Sequence, residues 1–308
     1  MRYDASMAQQ LSDLQGLAIA NALTFEEGPN GLLRAAIFTP HAEATVYLHG
    51  AHVTHYRPVG QKPLLFLSER SCFEPAKPIR GGIPICFPWF GPRENDPAAP
   101  MHGFARVLPW TVESTSAGAD KSVSIELKLE SSDATQRYWP YSFIARCRIN
   151  IGLSLNVALQ VRNTSADSLS FEEALHAYFS VGDVRQVAIT GLANTTYLDR
   201  MDSGRQKLQN DQPISIAAET DRAYLDARLP CVIDDPVLAR RIKIEKTGSE
   251  STVLWNPWID KAIAMPDFGD EEWMSMVCLE SGNVRQNAVA LPPGQTHTLA
   301  VRYLSEIR

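Results

Sequence analysis

The sequence predicts an all-β protein, and two observations support that prediction. Many short segments alternate apolar and polar residues with a period of two, and turn residues separate them. No long amphipathic helical segment lies between these segments, which indicates an antiparallel sandwich or barrel rather than a parallel sheet with crossover helices. The predicted strands cover residues 44–56, 122–130, 143–152, 153–163, 186–192, 241–247, 252–256, 272–280 and 297–304.

The extent of the strand pattern defines the expected domain. The chain has 308 residues, a length that admits one large domain or two ordinary ones. No break in composition marks a linker, so residues 21–308 are predicted to form a single β-sandwich domain. Residues 1–20 are predicted to form an N-terminal extension with one short helix over residues 6–16, where Gly16 supplies a stop signal.

The composition is that of a soluble globular protein, with 44% hydrophobic and 21% charged residues. The net charge of −6 disfavours general binding to nucleic acid or to an anionic membrane. No apolar run approaches the roughly 18 residues of a membrane helix, and the N-terminal residues lack the apolar core of a signal peptide. The five cysteines are widely spaced and include no C-x-x-C pair, which argues against disulfides and zinc knuckles and fits a reducing cytoplasm.

The motifs of several well-known enzyme classes are absent. The chain has no glycine-rich dinucleotide or phosphate-binding motif, no H-E-x-x-H zinc motif and no G-x-S-x-G nucleophile motif. His49, His52 and His55 form the densest histidine cluster, but on a regular strand His52 would point away from the other two. We therefore expect a structural role for this cluster and no metal site.

One irregular block interrupts the strand pattern. Residues 72–109 are rich in proline, glycine and aromatic residues, a composition that predicts a long, rigid and ordered loop of the kind that carries function. Arg80 precedes two glycines that would let a ligand approach the backbone closely. Arg80 and Arg106 are candidates for a fork that binds phosphate or carboxylate, and the alternative is a surface salt bridge to Glu94 or Asp96.

A histidine in an apolar segment is the first candidate for chemistry. In residues 171–184, read as a strand, His176 shares a face with Glu172 and Tyr178. A helix over residues 172–178 is also compatible with the sequence. Because a lone histidine in such a run is often a satisfied core residue, this segment alone leaves both a structural and a catalytic role open.

A carboxylate in a second apolar segment is the other candidate. In residues 271–284, Glu280 shares a strand face with apolar residues, and burying it without a partner would be costly. It either marks the exit of a strand to solvent or is held in a cleft where its pKa can be tuned. The nearby WNPW segment, residues 255–258, offers flat aromatic surface for a sugar ring or simply two core tryptophans.

Six motifs in order resemble one enzyme family. RGGIPICFPWFGP, HGFAR, LHAYFSVGDV, ETDRAYL, VLWNPW and CLESGN are similar to segments of the hexose-6-phosphate mutarotases. These proteins, also called glucose-6-phosphate 1-epimerases, belong to the aldose 1-epimerase superfamily. The resemblance runs from about residue 30 to about residue 304. It implies a large antiparallel β-sandwich of the galactose-mutarotase-like type, the supersandwich, with few short helices.

The resemblance also implies which residues form the site. The catalytic histidine and carboxylate of the family correspond here to His176 and Glu280. One departure is visible, since relatives often carry Gln where this chain has Met101. The implied substrate-contacting residues are Arg80, His102, Arg106 and Asp221.

The resemblance implies an isomerase that interconverts the α and β anomers of D-glucose 6-phosphate and of related hexose 6-phosphates. One group removes the proton of the O1 hydroxyl and another protonates the ring oxygen O5, so that the C1–O5 bond opens. We assign His176 as the acid and Glu280 as the base. The reaction involves no redox step and no group transfer, so no cofactor is expected.

The negative net charge makes a prediction about the phosphate. A chain of net charge −6 needs local cations to attract a phosphorylated sugar. We expect Arg80 and Arg106 on one rim of the cleft, facing the 6-phosphate, with Arg93, Lys77 and Arg222 as the next candidates.

The expected partner is therefore a small sugar phosphate, with no nucleic acid and no membrane, bound by a cytoplasmic monomer. Three alternatives stay open. A glycosidase or lyase would pair Glu172 or Asp221 with Glu280 on the two sides of a cleft. A non-catalytic sugar-phosphate sensor would keep the pocket without the chemistry. A mutarotase acting on unphosphorylated aldoses is the third.

Overall fold

The computed structural model describes residues 2–94 and 96–308, and it confirms the all-β prediction. In chain order the strands are β1 Leu23–Glu27, β2 Leu33–Phe38, β3 Ala42–Tyr47, β4 His52–Pro58, β5 Ile85–Cys86, β6 Thr111–Ala117, β7 Val123–Glu130, β8 Phe143–Ile151, β9 Leu155–Asn163, β10 Leu169–Phe171, β11 Glu173–Leu175, β12 Tyr178–Ser180, β13 Ala188–Thr190, β14 Thr196–Asp199, β15 Arg205–Leu208, β16 Thr220–Leu225, β17 Cys231–Asp235, β18 Arg240–Thr247, β19 Ser251–Asn256, β20 Met276–Asn283, β21 Val289–Leu291 and β22 Thr296–Ile307. The α-helices are α1 Arg2–Gln15, α2 Asp133–Gln136 and α3 Trp258–Ala264.

Two eight-stranded antiparallel sheets dominate the fold. The site sheet has the order β15-β14-β16-β19-β20-β11-β5, with β12 also pairing to β20. The back sheet has the order β13-β17-β18-β22-β9-β8-β7-β6. A four-stranded sheet, β1-β2-β3-β4, and the pair β10-β21 complete the architecture.

The main core lies between the site sheet and the back sheet. Phe179 of β12 packs against Tyr303 of β22, with ring centroids 5.7 Å apart. Phe87 of the long loop contacts Phe143 of β8 and Phe171 of β10, each at 5.3 Å. Every second residue of β8 is buried, as the alternation in the sequence predicts. Burial of these side chains stabilises the fold by about 1.5–3 kcal/mol for each large apolar residue.

Several predicted strands match the structure and one does not. Residues 122–130, 143–152, 153–163 and 252–256 correspond to β7, β8, β9 and β19. The single strand predicted over residues 44–56 is wrong, because a turn at residues 48–51 separates β3 from β4. Gly50 adopts φ +76° in this turn, and a Cβ there would lie 2.7 Å from the carbonyl oxygen of Arg106. Only glycine fits at that close approach.

The N-terminal helix packs onto the sandwich. The helix predicted over residues 6–16 is α1, which begins at Arg2 and ends at Gln15. Leu14 is buried in the same hydrophobic core as the strands, and Leu11 packs against that core. In the described parts of the chain, residues 2–94 and 96–308, no helix combines the length and apolar character needed to cross a membrane.

Candidate active site

Strand pairing builds the floor of the site on one face of the site sheet. One row of directly paired residues runs across four strands, and a second row lies beside it with Glu280. Paired residues of an antiparallel sheet project to the same side, and so do residues two apart along one strand. The first row is Asp221, Trp255, Cys278 and Tyr178, and the second is Ala223, Val253 and Glu280.

His176 stands over this floor in the short connection between β11 and β12. Its backbone N–H donates to the carbonyl oxygen of Pro84 at 3.0 Å. Its ring stacks on Tyr178 with centroids 4.8 Å apart and meets Trp255 edge-on at 6.3 Å. The helix considered over residues 172–178 is therefore wrong, since this stretch forms β11 and the start of β12.

The structure brings His176 and Glu280 into contact. His176 Nε2 lies 3.2 Å from Glu280 Oε1, and the Glu280 side chain is 1% exposed. Glu280 lies inside β20, which continues to Asn283, so the alternative that it marks the exit of a strand to solvent is wrong. Within the described residues, His176 Nδ1 and Glu280 Oε2 have no hydrogen-bond partner. Both groups therefore keep free hydrogen-bonding capacity for a ligand.

The electrostatics of the pair favour the neutral form of each group. Burial raises the pKa of Glu280 well above its ordinary value, and the Asp221 carboxylate adds to that shift while Arg106 opposes it. Burial also lowers the pKa of His176 well below its ordinary value, and the positive charges of Arg106 and Arg80 add to this effect. Both shifts favour the form in which Glu280 carries the proton and His176 is neutral over the ion pair.

His102, from the long loop, presents a hydrogen-bond donor near the pair. The backbone N–H of Gly91 donates to His102 Nδ1 at 3.2 Å, so the ring hydrogen lies on Nε2. The ring meets His176 at 5.6 Å and Phe90 at 4.6 Å, both edge-on. Burial, with help from Arg106, lowers the pKa of His102 well below its ordinary value, so the ring stays neutral.

Arg80 lines the cavity, and each of its three guanidinium nitrogens contacts another side chain. Its Nε and Nη2 lie 3.1 and 3.0 Å from Asp267 Oδ2, and its Nη1 donates to the Tyr178 hydroxyl at 3.0 Å. The alternative of a salt bridge from Arg80 to Glu94 or Asp96 is therefore wrong, because the salt bridge is made to Asp267.

The two glycines after Arg80 approach protein backbone rather than an open cavity. A Cβ on Gly81 would lie 2.5 Å from the carbonyl oxygen of Phe66, and a Cβ on Gly82 would lie 2.2 Å from that of Val53. The expectation that these glycines make room for a ligand is corrected, because the long loop itself packs there.

Arg106 does not share a rim with Arg80. It is 6% exposed, its Nη2 donates to the carbonyl oxygen of Met101 at 2.7 Å, and it is not among the residues lining the cavity. The expectation that both arginines face the cleft is therefore wrong. The reason is that the end of the long loop turns inward at Ala105–Val107, where it packs beneath Gly50.

These residues enclose a cavity of about 260 Å³. Five of the six predicted site residues line it, as does Met101. The sequence interpretation missed two cations in its wall, Arg200 and Lys261. Arg200 follows β14 and Lys261 lies on α3, and neither belongs to a motif that could have flagged it. The predicted residues on the wall are Arg80, His102, His176, Asp221 and Glu280.

The structure decides between the alternative roles of the two tryptophans and of Glu172. Trp255 lines the cavity, whereas Trp258 packs on Trp273 with ring centroids 4.3 Å apart. The Glu172 carboxylate accepts hydrogen bonds from the backbone N–H groups of Phe90 and Arg285, and it is not part of the cavity wall. Glu172 thus fastens the loop and does not face Glu280 across the cleft.

The histidine cluster does not form a common centre. His49 Nε2 lies 2.7 Å from the carbonyl oxygen of Lys77, and His52 Nε2 lies 2.7 Å from that of Gly81. His55 Nε2 lies 3.1 Å from Glu43 Oε1. The three rings therefore make separate contacts, as expected. The reason differs from the expected one, because a turn at residues 48–51 interrupts the strand.

One buried set has the composition of metal ligands. His176, Cys278 and Glu280 each place one ligand atom within 4.8 Å of the others. Burial raises the pKa of the Cys278 thiol well above its ordinary value, and Glu280 adds to that shift. Metal binding needs the thiolate, which this site disfavours. The donor set therefore fits a proton-sharing pair better than a metal centre.

Comparison with known proteins identifies the family and agrees with the fold. The sequence profile of the family described as Aldose 1-epimerase matches residues 37–304. A Salmonella typhimurium protein named "Putative glucose-6-phosphate 1-epimerase" is 34% identical over 79% of this chain and 80% of its own length. A Cenchrus ciliaris protein of the same name is 35% identical over 82% of this chain and 78% of its own. The crystal structure of a "putative mutarotase" from Salmonella typhimurium superimposes with a TM-score of 0.88, at 29% identity, over 94% of this chain and 95% of that one.

Proposed function

The chain belongs to the aldose 1-epimerase family, and from that premise we propose that it interconverts the α and β anomers of D-glucose 6-phosphate. The family supports a small sugar as substrate and an epimerase as the class of enzyme. The names of the relatives support the phosphorylated sugar. The single observation that supports the chemistry best is the His176–Glu280 contact of 3.2 Å in the wall of the cavity.

The spacing of the pair suits ring opening at an anomeric carbon. O1 and O5 are bonded to the same carbon, so one acid and one base must reach two neighbouring oxygen atoms. A contact of 3.2 Å between His176 and Glu280 meets that need. Glycosidases instead place two carboxyl groups about 5–9.5 Å apart on opposite sides of a bond. Glu172 lies outside the cavity wall, which leaves the glycosidase alternative with Asp221 alone.

The proposed reaction moves two protons between the pair and the sugar. Glu280, as carboxylate, takes the proton of the O1 hydroxyl while His176, as imidazolium, gives its proton to O5, and the C1–O5 bond breaks to leave the aldehyde. Rotation about C1–C2 turns the other carbonyl face toward the pair, and the same transfers in reverse close the ring. The working form differs from the resting form only in the position of the shared proton. The nearby positive charge of Arg106 favours the carboxylate form of Glu280. Each positioned transfer typically contributes about 10²–10⁴ in rate.

Other cavity residues would hold the sugar in place. Neutral His102 has a donor on Nε2 for a sugar hydroxyl. Trp255 lies in the cavity wall beside the pair, and an apolar aromatic surface there suits the C–H face of a pyranose. The Asp221 carboxylate accepts hydroxyl donors, and burial raises its pKa.

Exchange spectroscopy tests the proposal directly. NMR line exchange between the anomers of glucose 6-phosphate is recorded with and without the protein, and with glucose as the comparison sugar. The proposal requires protein-dependent exchange that is faster for glucose 6-phosphate. A pure sensor would shift the sugar lines without exchange, and a mutarotase for free aldoses would prefer glucose; either result would contradict the proposal.

A further inference from the structure

A second chamber adjoins the catalytic cavity. It has a volume of about 300 Å³ and shares four wall residues with that cavity. Arg285, Ser203 and Ala223 belong to its remaining wall. The two spaces therefore meet, and a ligand seated at the acid–base pair has this side chamber next to it. The shared residues are Phe90, Arg200, Asp221 and Val253.

The side chamber holds two arginines whose donors are free. Arg200 Nη1 lies 3.5 Å from Asp221, and Arg285 Nη1 lies 4.0 Å from Glu172. Both distances exceed those of a close charge-assisted hydrogen bond. Over residues 2–94 and 96–308 neither guanidinium donates such a bond, whereas each nitrogen of the Arg80 guanidinium contacts Asp267 or Tyr178. The two arginines of the cleft that make no close side-chain hydrogen bond thus both line the side chamber, while Lys261 lies on the wall of the catalytic cavity.

The register of the site sheet sets the distance to the reacting pair. Glu280 pairs with Val253, and Val253 pairs with Ala223, which lines the side chamber. Two strand spacings separate Glu280 from Ala223, about 10 Å. A pyranose ring extended by a phosphate ester covers a span of this order. The chamber is therefore within reach of one end of a sugar whose other end is at Glu280.

We propose that the side chamber binds a phosphoryl group between Arg200 and Arg285. Guanidinium groups match phosphate oxygens in geometry, and the wall of the side chamber carries two of them against one carboxylate, Asp221. The proposal rests on the proposed function and moves phosphate recognition away from Arg80 and Arg106. The group comes either from the substrate itself or from free inorganic phosphate, two sources with the same chemistry.

The test uses the full chain with Arg200→Gln, Arg285→Gln and the double variant. Arg205→Gln is the matched control, because Arg205 follows the same turn as Arg200, is 72% exposed and lies outside both chambers. The first measurement is kcat/KM for anomer exchange of glucose 6-phosphate and of glucose. The second is the affinity for inorganic phosphate, titrated by ³¹P NMR without any sugar. Thermal melting checks that each variant is folded, and Arg285→Lys tests whether charge alone is enough.

Two results support the proposal and identify the source. If the group is the substrate's own, each variant lowers kcat/KM for glucose 6-phosphate by about 10- to 150-fold, the range for one hydrogen bond to a charged group. Exchange of glucose and the Arg205 control then change little. If the source is free phosphate, the preference for glucose 6-phosphate is unchanged but the affinity for inorganic phosphate falls in the variants.

Other results separate failure of the inference from failure of the function. Unchanged sugar preference together with unchanged phosphate affinity in the double variant overturns the side-chamber site, while the proposed function stands. Lack of exchange by the unaltered protein on either sugar refutes the proposed function, and the phosphate titration still decides whether the chamber binds the anion.

Discussion

His176 Nε2 lies 3.2 Å from Glu280 Oε1, although the two residues come from distant parts of the chain. Strand pairing fixes this relationship, because Tyr178 of β12 pairs with Cys278 of β20 and the imidazole stacks on Tyr178. Backbone hydrogen bonds and ring packing therefore hold the acid–base pair in place before any ligand arrives. Side chains held by paired strands in this way are positioned more precisely than side chains on free loops.

Removing either member of the pair should abolish most of the anomer exchange. We expect Glu280→Gln and His176→Asn to lower kcat by about 10²–10⁴ while the fold is retained. Because the two groups act as a unit, the double variant should lose little more than the worse single variant. NMR exchange rates and melting curves measure both effects. Exchange close to that of the unaltered protein with Glu280→Gln would refute the mechanism.

The pH profile should show a broad plateau through neutral pH. The raised pKa of Glu280 and the lowered pKa of His176 widen the range in which the pair holds one proton. We therefore expect kcat/KM to show no break near pH 6.5, the ordinary histidine value, and to fall only well above or below it. Glucose is the substrate of choice here, since a phosphate ester titrates near pH 6 by itself. An inflection near 6.5 that disappears in His176→Asn would contradict this prediction.

Exhaustive chelation should leave the activity intact. His176, Cys278 and Glu280 lie close enough for a metal ion, but the buried thiol disfavours the thiolate. We expect exchange to survive EDTA, and Cys278→Ser to keep most of the activity. Loss of exchange with EDTA that one particular metal restores would overturn the metal-free mechanism.

Arg80 should act on both sugars alike. Its contacts to Asp267 and Tyr178 support the ring beneath His176, so Arg80→Ala should lower exchange of glucose and glucose 6-phosphate by a similar factor, about tenfold. Tyr178→Phe, which removes only the hydroxyl contact, should have a smaller effect in the same direction. A loss confined to glucose 6-phosphate would instead assign the phosphate to Arg80.

A second buried histidine–carboxylate pair should make stability depend on pH. His297 Nε2 lies 2.7 Å from Glu173 Oε1. Burial lowers the pKa of His297, but the hydrogen bond and charge of Glu173 outweigh it and raise the pKa overall. The native state thus binds more protons than the unfolded chain, so this stability is present below pH 6.5 and is lost as pH rises through the raised pKa.

Chemical denaturation at pH 6 and pH 9 tests that dependence. We expect Glu173→Gln to lower the free energy of unfolding by about 1.5–3 kcal/mol at pH 6 and by less at pH 9. Glu27→Gln, at an exposed position of β1, makes the same change of charge and is the control. An equal loss at both pH values would show that His297 carries no proton in the native pair.

Local patterns were enough to predict the fold class. Alternation in segments such as β7 and β8 reflects one face buried in the core, a property that the sequence carries directly. The turn at residues 48–51 was missed because its apolar and histidine residues look like continued strand. The short strands β14 to β17 were missed because their few residues lack a clear period.

The site was predictable only where a motif marked it. His176 and Glu280 were predicted as partners through the resemblance, and their segments alone left both roles open. The register that sets Asp221 beside Trp255 comes from pairing between distant strands, which no local pattern contains. Arg106 was misplaced for the same reason, since the inward turn of the long loop depends on packing against Gly50.

The residues of the cavity floor and the cationic residues of its wall lie on different kinds of secondary structure. This difference determines which positions can be varied in directed evolution. Glu280 and Trp255 lie on strands that are paired on both sides, whereas Arg200, Lys261 and Arg285 lie in turns or a short helix. Residues in turns tolerate substitution far better than residues in paired strands. A combinatorial library restricted to these three turn and helix positions should yield catalysts with new sugar selectivity and unchanged turnover chemistry.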